Sequence, residues 1–372
     1  MRIIVIGGLG NFGARICRRL ALEPGLEPIA ASRSASAGRH RFDNGQTVAT
    51  LRLDIEAADF EQRLAEARPD LVIHCAGPFQ GQDYRVALAA CAAGAHYIDL
   101  ADGRDFVDRF AANVDAQARA AGVLAVSGAS SVPGLSSAVV DHLARSFARL
   151  DSISIAIAPG QQAPRGVATI QAVFGYAGLA FDRWNGGAWV KKYGWQDIRT
   201  FRFAGMGRRW GAACDVPDLA LFPARYAGVR DVEFHAALEL RLEHAGLWLA
   251  AALRRLGMPL PISRFAAQLD ALSRKALDRF GSDLGAMRVH LRGLRGLRQD
   301  GTPGSLTWQL TAPGGNGPEI PCMATVLLAC KLAKGEILRT GAMPCLGLVQ
   351  LQEFEPEFQR WGFTSAVVDG ET

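Results

Sequence analysis

The first third of the chain alternates short apolar runs with stretches of helical period. Ile3–Ile6, Pro28–Ala31, Thr47–Leu53, Leu71–His74, His96–Asp99 and Val123–Val126 read as strands. Asn11–Leu22, Ala57–Ala67, Tyr84–Ala93 and Arg104–Ala121 read as helices between them, and Gly25, Gly94 and Gly122 follow three of these as stop signals. Strands that alternate with helices pack as a parallel sheet with helices on both faces, so the pattern predicts a doubly wound α/β domain.

After about residue 150 the texture changes. Ser152–Ala158 alternates strictly, with Ile153, Ile155 and Ile157 on one face, and Ser305–Thr311 does the same with Leu306, Trp308 and Leu310. Strict alternation predicts half-buried antiparallel strands. Turn signals at Asp300-Gly301 and Pro303-Gly304 join the second of these to Arg288–Leu297. Leu238–Leu256 has helical period through Leu238, Leu242, Ala245, Leu249, Leu253 and Leu256, with Arg241, Glu243 and Arg254 elsewhere. Cys322–Lys334 is an apolar helix stopped by Gly335. The predicted organisation is an α/β domain over 1–130, an α+β substrate and dimerisation domain over 131–321, and a segment 322–372 that returns to the first domain.

The charge balance, 41 basic against 36 acidic residues spread along the chain, argues against a nucleic-acid partner. Seven cysteines without a CxxC pair indicate neither a disulfide framework nor a metal site, and reduced thiols point to the cytoplasm. The amino-terminal apolar run turns glycine-rich at once and reads as a strand, not a signal peptide. The longest uncharged run, Ala120–Val140, is broken by Ser127, Ser130, Ser131, Pro133, Ser136 and Ser137, so no transmembrane segment is expected.

The chemistry begins in the first turn. Ile3-Ile4-Val5-Ile6 runs into Gly7-Gly8-Leu9-Gly10-Asn11-Phe12-Gly13 and then a helix. Gly8, Gly10 and Gly13 fit G-x-G-x-x-G: a tight turn, a close backbone approach to a pyrophosphate, and a close helix–strand contact. With Asn11 and Phe12 they place the free N–H groups of a helix N-terminus against phosphate. A glycine-rich turn without a ligand is the plainer alternative; its position between a strand and a helix favours the cradle. Six strands then match the Rossmann fold. NAD sites carry Asp or Glu about 20 residues after the glycines. Here Ala30-Ala31-Ser32-Arg33-Ser34 offers no carboxylate, while the Ser32 hydroxyl and the Arg33 guanidinium suit a 2′-phosphate, so NADP is favoured over NAD. Asp54 and Ile55 flank the adenine, and Ala76, Gly77 and Pro78 let the nicotinamide approach. His74 and Cys75 read as packing residues, and Arg39 and Arg41 as a solvated basic loop.

These features resemble the saccharopine dehydrogenase-like NADP-binding oxidoreductases. The resemblance is carried by Gly7–Gly13, by Ala76-Gly77-Pro78-Phe79, by Ala90–Leu100 and by Ser127–Leu135, and more loosely by Gly317–Pro321 and the tail. It implies a Rossmann domain, an inserted α+β domain and hydride transfer from NADPH to a small substrate. Within the family, amino-acid enzymes carry Asp before the Pro-Gly that follows the sixth strand. Here Val132 stands there, with Ser136 and Ser137 where Asp and His are common, so saccharopine itself is not the expected substrate.

Ligands in open α/β sheets bind beyond the carboxyl ends of the strands. This rule nominates Tyr97, Asp99 and Asp102 as catalytic candidates, and Ser127, Ser130 and Ser131 beside them. The plainer alternative makes the carboxylates loop groups, with Asp102 as a helix cap. In the second domain Trp184, Trp189, Trp195, Trp210 and Trp248 either line an apolar cavity or fill a core, and Cys214 and Asp215 are further candidates. Three functions remain open at this point: reduction of an imine or amino-acid-derived substrate, reduction of a carbonyl or enoyl C=C bond, and NADP binding without turnover. A homodimer is the expected assembly.

Overall fold

The computed structural model describes residues 1–164, 166–260, 265–296 and 301–370. The chain divides into two compact units, Met1–Leu135 with Glu319–Val349, and Ser136–Pro318 with Gln350–Thr372.

The first unit is built on strands β1 (Arg2–Ile6), β2 (Glu27–Ser32), β3 (Gly38–Arg41), β4 (Thr47–Arg52), β5 (Leu71–His74), β6 (His96–Asp99) and β7 (Leu124–Ser127). Its helices are α1 (Asn11–Leu20), α2 (Phe60–Glu66), α3 (Arg85–Ala92) and α4 (Arg104–Ala120). With β16 (Gly341–Pro344) from the tail, the strands form an eight-stranded sheet in the order β16-β7-β6-β5-β1-β2-β4-β3. Every pairing is parallel except β3–β4. Strands β5 and β7 are buried at every position, as a parallel strand covered on both faces should be. The chain leaves β1 toward β2 and β4, then crosses back to β5, β6 and β7, so the order reverses between β1 and β5. That reversal opens the crevice where doubly wound sheets bind ligands. Gly94 and Gly122 take positive φ just past α3 and α4, and Ala95 and Val123 donate back to Ala90 and Ala118 to close the helix ends. The sequence pattern does not show β3, because Gly-Arg-His-Arg has no apolar alternation and is held by backbone pairing at an exposed edge.

In the second unit, α5 (Ser136–Ala144) leads into β8 (Phe147–Ala158) and α6 (Val167–Tyr176). Next come the hairpin β9 (Ala180–Asn185) and β10 (Ala188–Tyr193), then β11 (Arg199–Phe203) and β12 (Gly207–Ala213). The chain continues through α7 (Asp218–Arg225), β13 (Asp231–Ala236), α8 (Arg241–Arg255), α9 (Ala266–Leu277), β14 (Gly285–Arg295) and β15 (Pro303–Ala312). With β17 (Thr364–Asp369) from the tail, a seven-stranded sheet has the order β11-β12-β13-β8-β14-β15-β17. The strand predicted at Ser152–Ala158 is its centre, but the sheet is mixed, since β13 pairs with β8 in parallel. Its polar face is also buried: Ser152, Ser154, Arg288, His290, Thr307 and Gln309 are all under 9% exposed, and His290 meets Thr307 at 2.8 Å. Alternation thus marks the two faces without telling whether the polar one is wet. The predicted turn between β14 and β15 falls in part on Leu297 and Asp300, which lie outside the described residues.

The tail departs from its predicted course. Helix α10 (Ile320–Ala333) and β16 join the first unit, where buried Glu319 pairs with Arg15 and Arg18 of α1. Beyond residue 349 the chain belongs to the second unit instead. There α11 (Leu351–Arg360) packs Phe358 against Trp308, and β17 (Thr364–Asp369) pairs antiparallel with β15. The physical reason is an open sheet edge: β15 has free backbone groups on one side, and the last strand satisfies them.

Candidate functional site

The turn between β1 and α1 is shaped by its glycines. Gly7 has φ of +77° and accepts from the Gly10 N–H at 2.8 Å. A Cβ on Gly13 would stand 2.2 Å from the Gly7 carbonyl oxygen, and one on Gly8 would stand 2.7 Å from the Ala30 Cα, so both glycines are demanded by the protein's own packing. A Cβ on Gly10 would meet only the Gly7 oxygen, at 3.1 Å. Gly10 is exposed and precedes a helix that has no side-chain cap and no acidic residue in its first turn. The first-turn N–H groups, Asn11 to Gly13, therefore have no side-chain cap, and a Cβ on Gly10 would meet nothing but the Gly7 oxygen.

At the end of β2, Ser32 and Ser34 hold their hydroxyls 3.2 Å apart, and the Ser34 N–H donates to the Ser32 Oγ. Arg33 between them is exposed. Register brings one further cation here: Arg52 at the end of β4 lies opposite Ser32. Sequence reasoning missed Arg52, because only strand pairing shows it beside the second strand. By contrast, β3 runs antiparallel and carries Arg39 and Arg41 toward Ala49 and Thr47, away from this corner. Asp54 accepts from the Glu56 N–H in its own turn, and the Ile55 carbonyl accepts from Arg85 at 2.9 Å. On the other side of the crevice, Ala76 and the cis-linked Gly77-Pro78 follow β5, with the Gln82 amide donating to the carbonyls of Ala76 and Pro78.

The three nominated catalytic side chains separate into two environments. Tyr97 and Asp99 are fully buried, on the same face of β6 beneath α4. The Tyr97 ring stacks on Phe110, and its hydroxyl lies 3.2 Å from His74 Nδ1. One oxygen of Asp99 accepts from the Ala101 N–H at 2.9 Å, the Gly128 N–H at 2.8 Å and the Ser127 hydroxyl at 3.0 Å. Burial pushes the Asp99 carboxyl up to about 6 against the pull of these donors. It ties the ends of β6 and β7 together. Asp102 is half-buried in the loop after β6, accepts from the Gln80 amide at 3.3 Å, and is raised by burial. The cap of α4 is Gly103, so Asp102 is not the helix cap expected as its plainer role.

The loop after β7 is pinned by the tail. Thr325 donates to the Ala129 carbonyl at 2.8 Å, and a Cβ on Gly134 would come within 2.9 Å of Ala324.

Residues 3–126 match the family model of the saccharopine dehydrogenase NADP binding domain. The match is confined to that stretch, about a third of the 372-residue chain. Among solved structures, the chain is similar to the apo saccharopine dehydrogenase (L-Glu forming) of Saccharomyces cerevisiae. That match has 12% identity and a TM-score of 0.65, over 99% of each chain. It is also similar to the homospermidine synthase of Legionella pneumophila in complex with NAD, at 10% identity and a TM-score of 0.62. The second match covers 100% of this chain and 91% of that one. At such identities the likeness is one of fold. The curated proteins contain no significant sequence match. Among the described residues no helix is long and apolar enough to cross a membrane, and no cluster of side chains is arranged to hold a metal ion.

In the second unit, Trp195 is core, packed edge-on against His244, whereas Trp189 and Trp248 are exposed. Cys214 is buried, and burial pushes its thiol up to about 12, which makes it a poor nucleophile. Asp218, at the start of α7, is buried against the Ser136 hydroxyl and is pushed up to about 7 by burial.

Proposed function

We propose that the protein is an NADP-dependent oxidoreductase that moves a hydride between the nicotinamide and a small, rather apolar, electrophilic substrate. The observation that carries this reading is the cradle above Gly10, where the chain's own packing leaves a place for pyrophosphate at an uncapped helix end. The bound cofactor would supply the hydride. Asn11, Phe12 and Gly13 hold the pyrophosphate through backbone N–H groups, with Gly8 shaping the turn. Ser32, Arg33 and Arg52 receive the 2′-phosphate, which favours NADP over NAD. Asp54 and Ile55 border the adenine, and Ala76, Gly77 and Pro78 leave room for the nicotinamide. Asp102, the accessible carboxyl of the three nominated, holds or moves the proton. Tyr97 and Asp99 act as positioning residues that fix the strand ends beneath it.

Val132 in place of the family's Asp makes the substrate something other than saccharopine. Imines, ketones and enoyl thioesters are the classes to test. In a panel of these with NADPH, one class should be reduced, and glutamate with an aminoadipate semialdehyde should give negligible turnover. Robust saccharopine formation would overturn the reading of Val132. Tight NADPH binding with no turnover on any class would replace the enzyme with a nucleotide-binding protein.

A further inference from the structure

The turn that follows β4 is held from outside itself. Past Arg52, the Leu53 N–H donates to the Ser32 carbonyl at 3.2 Å, and the chain then turns through Asp54–Ala57 toward α2. Inside the turn, the Asp54 side chain accepts from the Glu56 N–H at 3.1 Å, and the Ala57 N–H donates to the Asp54 carbonyl at 3.2 Å. Arg85, the first residue of α3, reaches across to two of its carbonyls. Nη1 donates to Ile55 at 2.9 Å and Nη2 to Ala57 at 2.8 Å, over 30 and 28 residues of sequence.

The arginine is itself fixed in place. Glu61 of α2 accepts from its Nε at 2.5 Å and its Nη2 at 2.9 Å, and the guanidinium lies over the buried Phe60 ring, 5.4 Å from the centroid. Its backbone N–H donates to Asp83 at 3.0 Å. A planar guanidinium can make these four side-chain hydrogen bonds at once, which the single ammonium of a lysine cannot. The ion pair alone stabilises little, because Glu61 is exposed. The two carbonyls are what distinguish Arg85 from an ordinary surface arginine. On its other side, the segment leading into Arg85 carries Gln82, whose amide donates to the carbonyls of Ala76 and Pro78. Arg85 thus links the turn of Asp54 and Ile55 to the loop that follows β5.

Taking Asp54 and Ile55 as the adenine border, we propose that Arg85 is a positioning residue for nucleotide binding, a brace that keeps the Asp54–Ala57 turn in the shape that receives the adenine. A site that is in place only part of the time binds with an affinity reduced by that fraction. Arg85→Met keeps an apolar stem over Phe60 and removes all four hydrogen bonds, whereas Glu61→Gln leaves the guanidinium on its carbonyls. On the full chain, Arg85→Met should weaken NADPH and adenosine 2′,5′-bisphosphate each about tenfold, with the turn in place about one-tenth of the time. Glu61→Gln should stay within about twofold of the wild type. Without nucleotide, the Glu56 and Ala57 amides should exchange faster in Arg85→Met than in the wild type, and saturating NADPH should restore their protection. A purely structural arginine would lower the thermal midpoint of Arg85→Met and leave its dissociation constants unchanged at a temperature where both proteins are folded. That result, or exchange in the turn that ignores the substitution, would overturn the positioning role alone. A wild type that binds neither ligand would overturn the dinucleotide reading, and the positioning role with it.

Discussion

Gly10→Val is expected to abolish NADPH binding, by roughly 100-fold or more, or about 2.7 kcal/mol, while the protein stays folded. Gly10 has φ of −80° and ψ of 179°, a conformation open to a β-branched residue. Its Cβ would press only on the Gly7 oxygen, at 3.1 Å, so the substitution asks little of the protein itself. What it fills is the space for the pyrophosphate. The neighbouring glycines provide the contrast. Gly13→Val drives a side chain into the Gly7 carbonyl and should lower the thermal midpoint before any nucleotide is added. Calorimetric titration together with thermal unfolding of both variants separates the two effects. A folded Gly10→Val protein with wild-type NADPH affinity would remove the cradle from the account.

Asp99→Ala is expected to cost about 3–5 kcal/mol of stability, because three buried donors lose their common acceptor. Asp99→Asn keeps an acceptor and should cost distinctly less. Charge adds a pH dependence. Asp99 and Asp218 are raised by burial from 3.8 to about 6 and about 7, so the folded chain holds their protons more tightly than the unfolded chain does. Their contribution to stability is complete below 3.8 and is lost as pH rises through about 6 and about 7. Denaturant unfolding of Asp218→Asn between about pH 5 and pH 8 should therefore fall less steeply than that of the wild type. An unchanged slope, or a near-neutral Asp99→Ala, would mean that these carboxyls are not the buried groups described.

The first unit was legible because its information is local. Each parallel strand is a short apolar run, each helix has its period and stop, and the glycine turn lies within seven consecutive residues, Gly7 to Gly13. Three things were not local. Strand β3 has no hydrophobic pattern, and Arg52 reaches the Ser32 corner only through the pairing of β2 with β4. Asp99 was visible as a carboxylate at a strand end, but its role as an acceptor for Ser127 and Gly128 depends on the register of β6 against β7. The second unit was read less well. Its alternating strands were found, yet their polar faces are buried, and the periodic stripe of α8 points away from the unit that carries it. Periodicity reports that a face is apolar; what covers that face is decided elsewhere in the chain or by another molecule. The tail shows the same limit, since α10 and α11 are similar helical signals that end in different units.

Nucleotide choice tests the central claim most directly. A charge-assisted hydrogen bond contributes roughly 1.5–3 kcal/mol, and each 1.4 kcal/mol is about tenfold in affinity. With Ser32 and Arg33 at the 2′-phosphate, NADPH should bind the wild type about 10- to 100-fold more tightly than NADH. Arg33→Ala should erase most of that ratio by weakening NADPH and leave NADH nearly unchanged. Ser32→Asp should go further, repelling the phosphate and offering an acceptor to a free 2′-hydroxyl. The measurement is the pair of dissociation constants, NADPH and NADH, on the wild type and on Arg33→Ala. A strong NADPH preference that collapses in the variant is the predicted result. Equal wild-type affinities, or a preference untouched by Arg33→Ala, would contradict it.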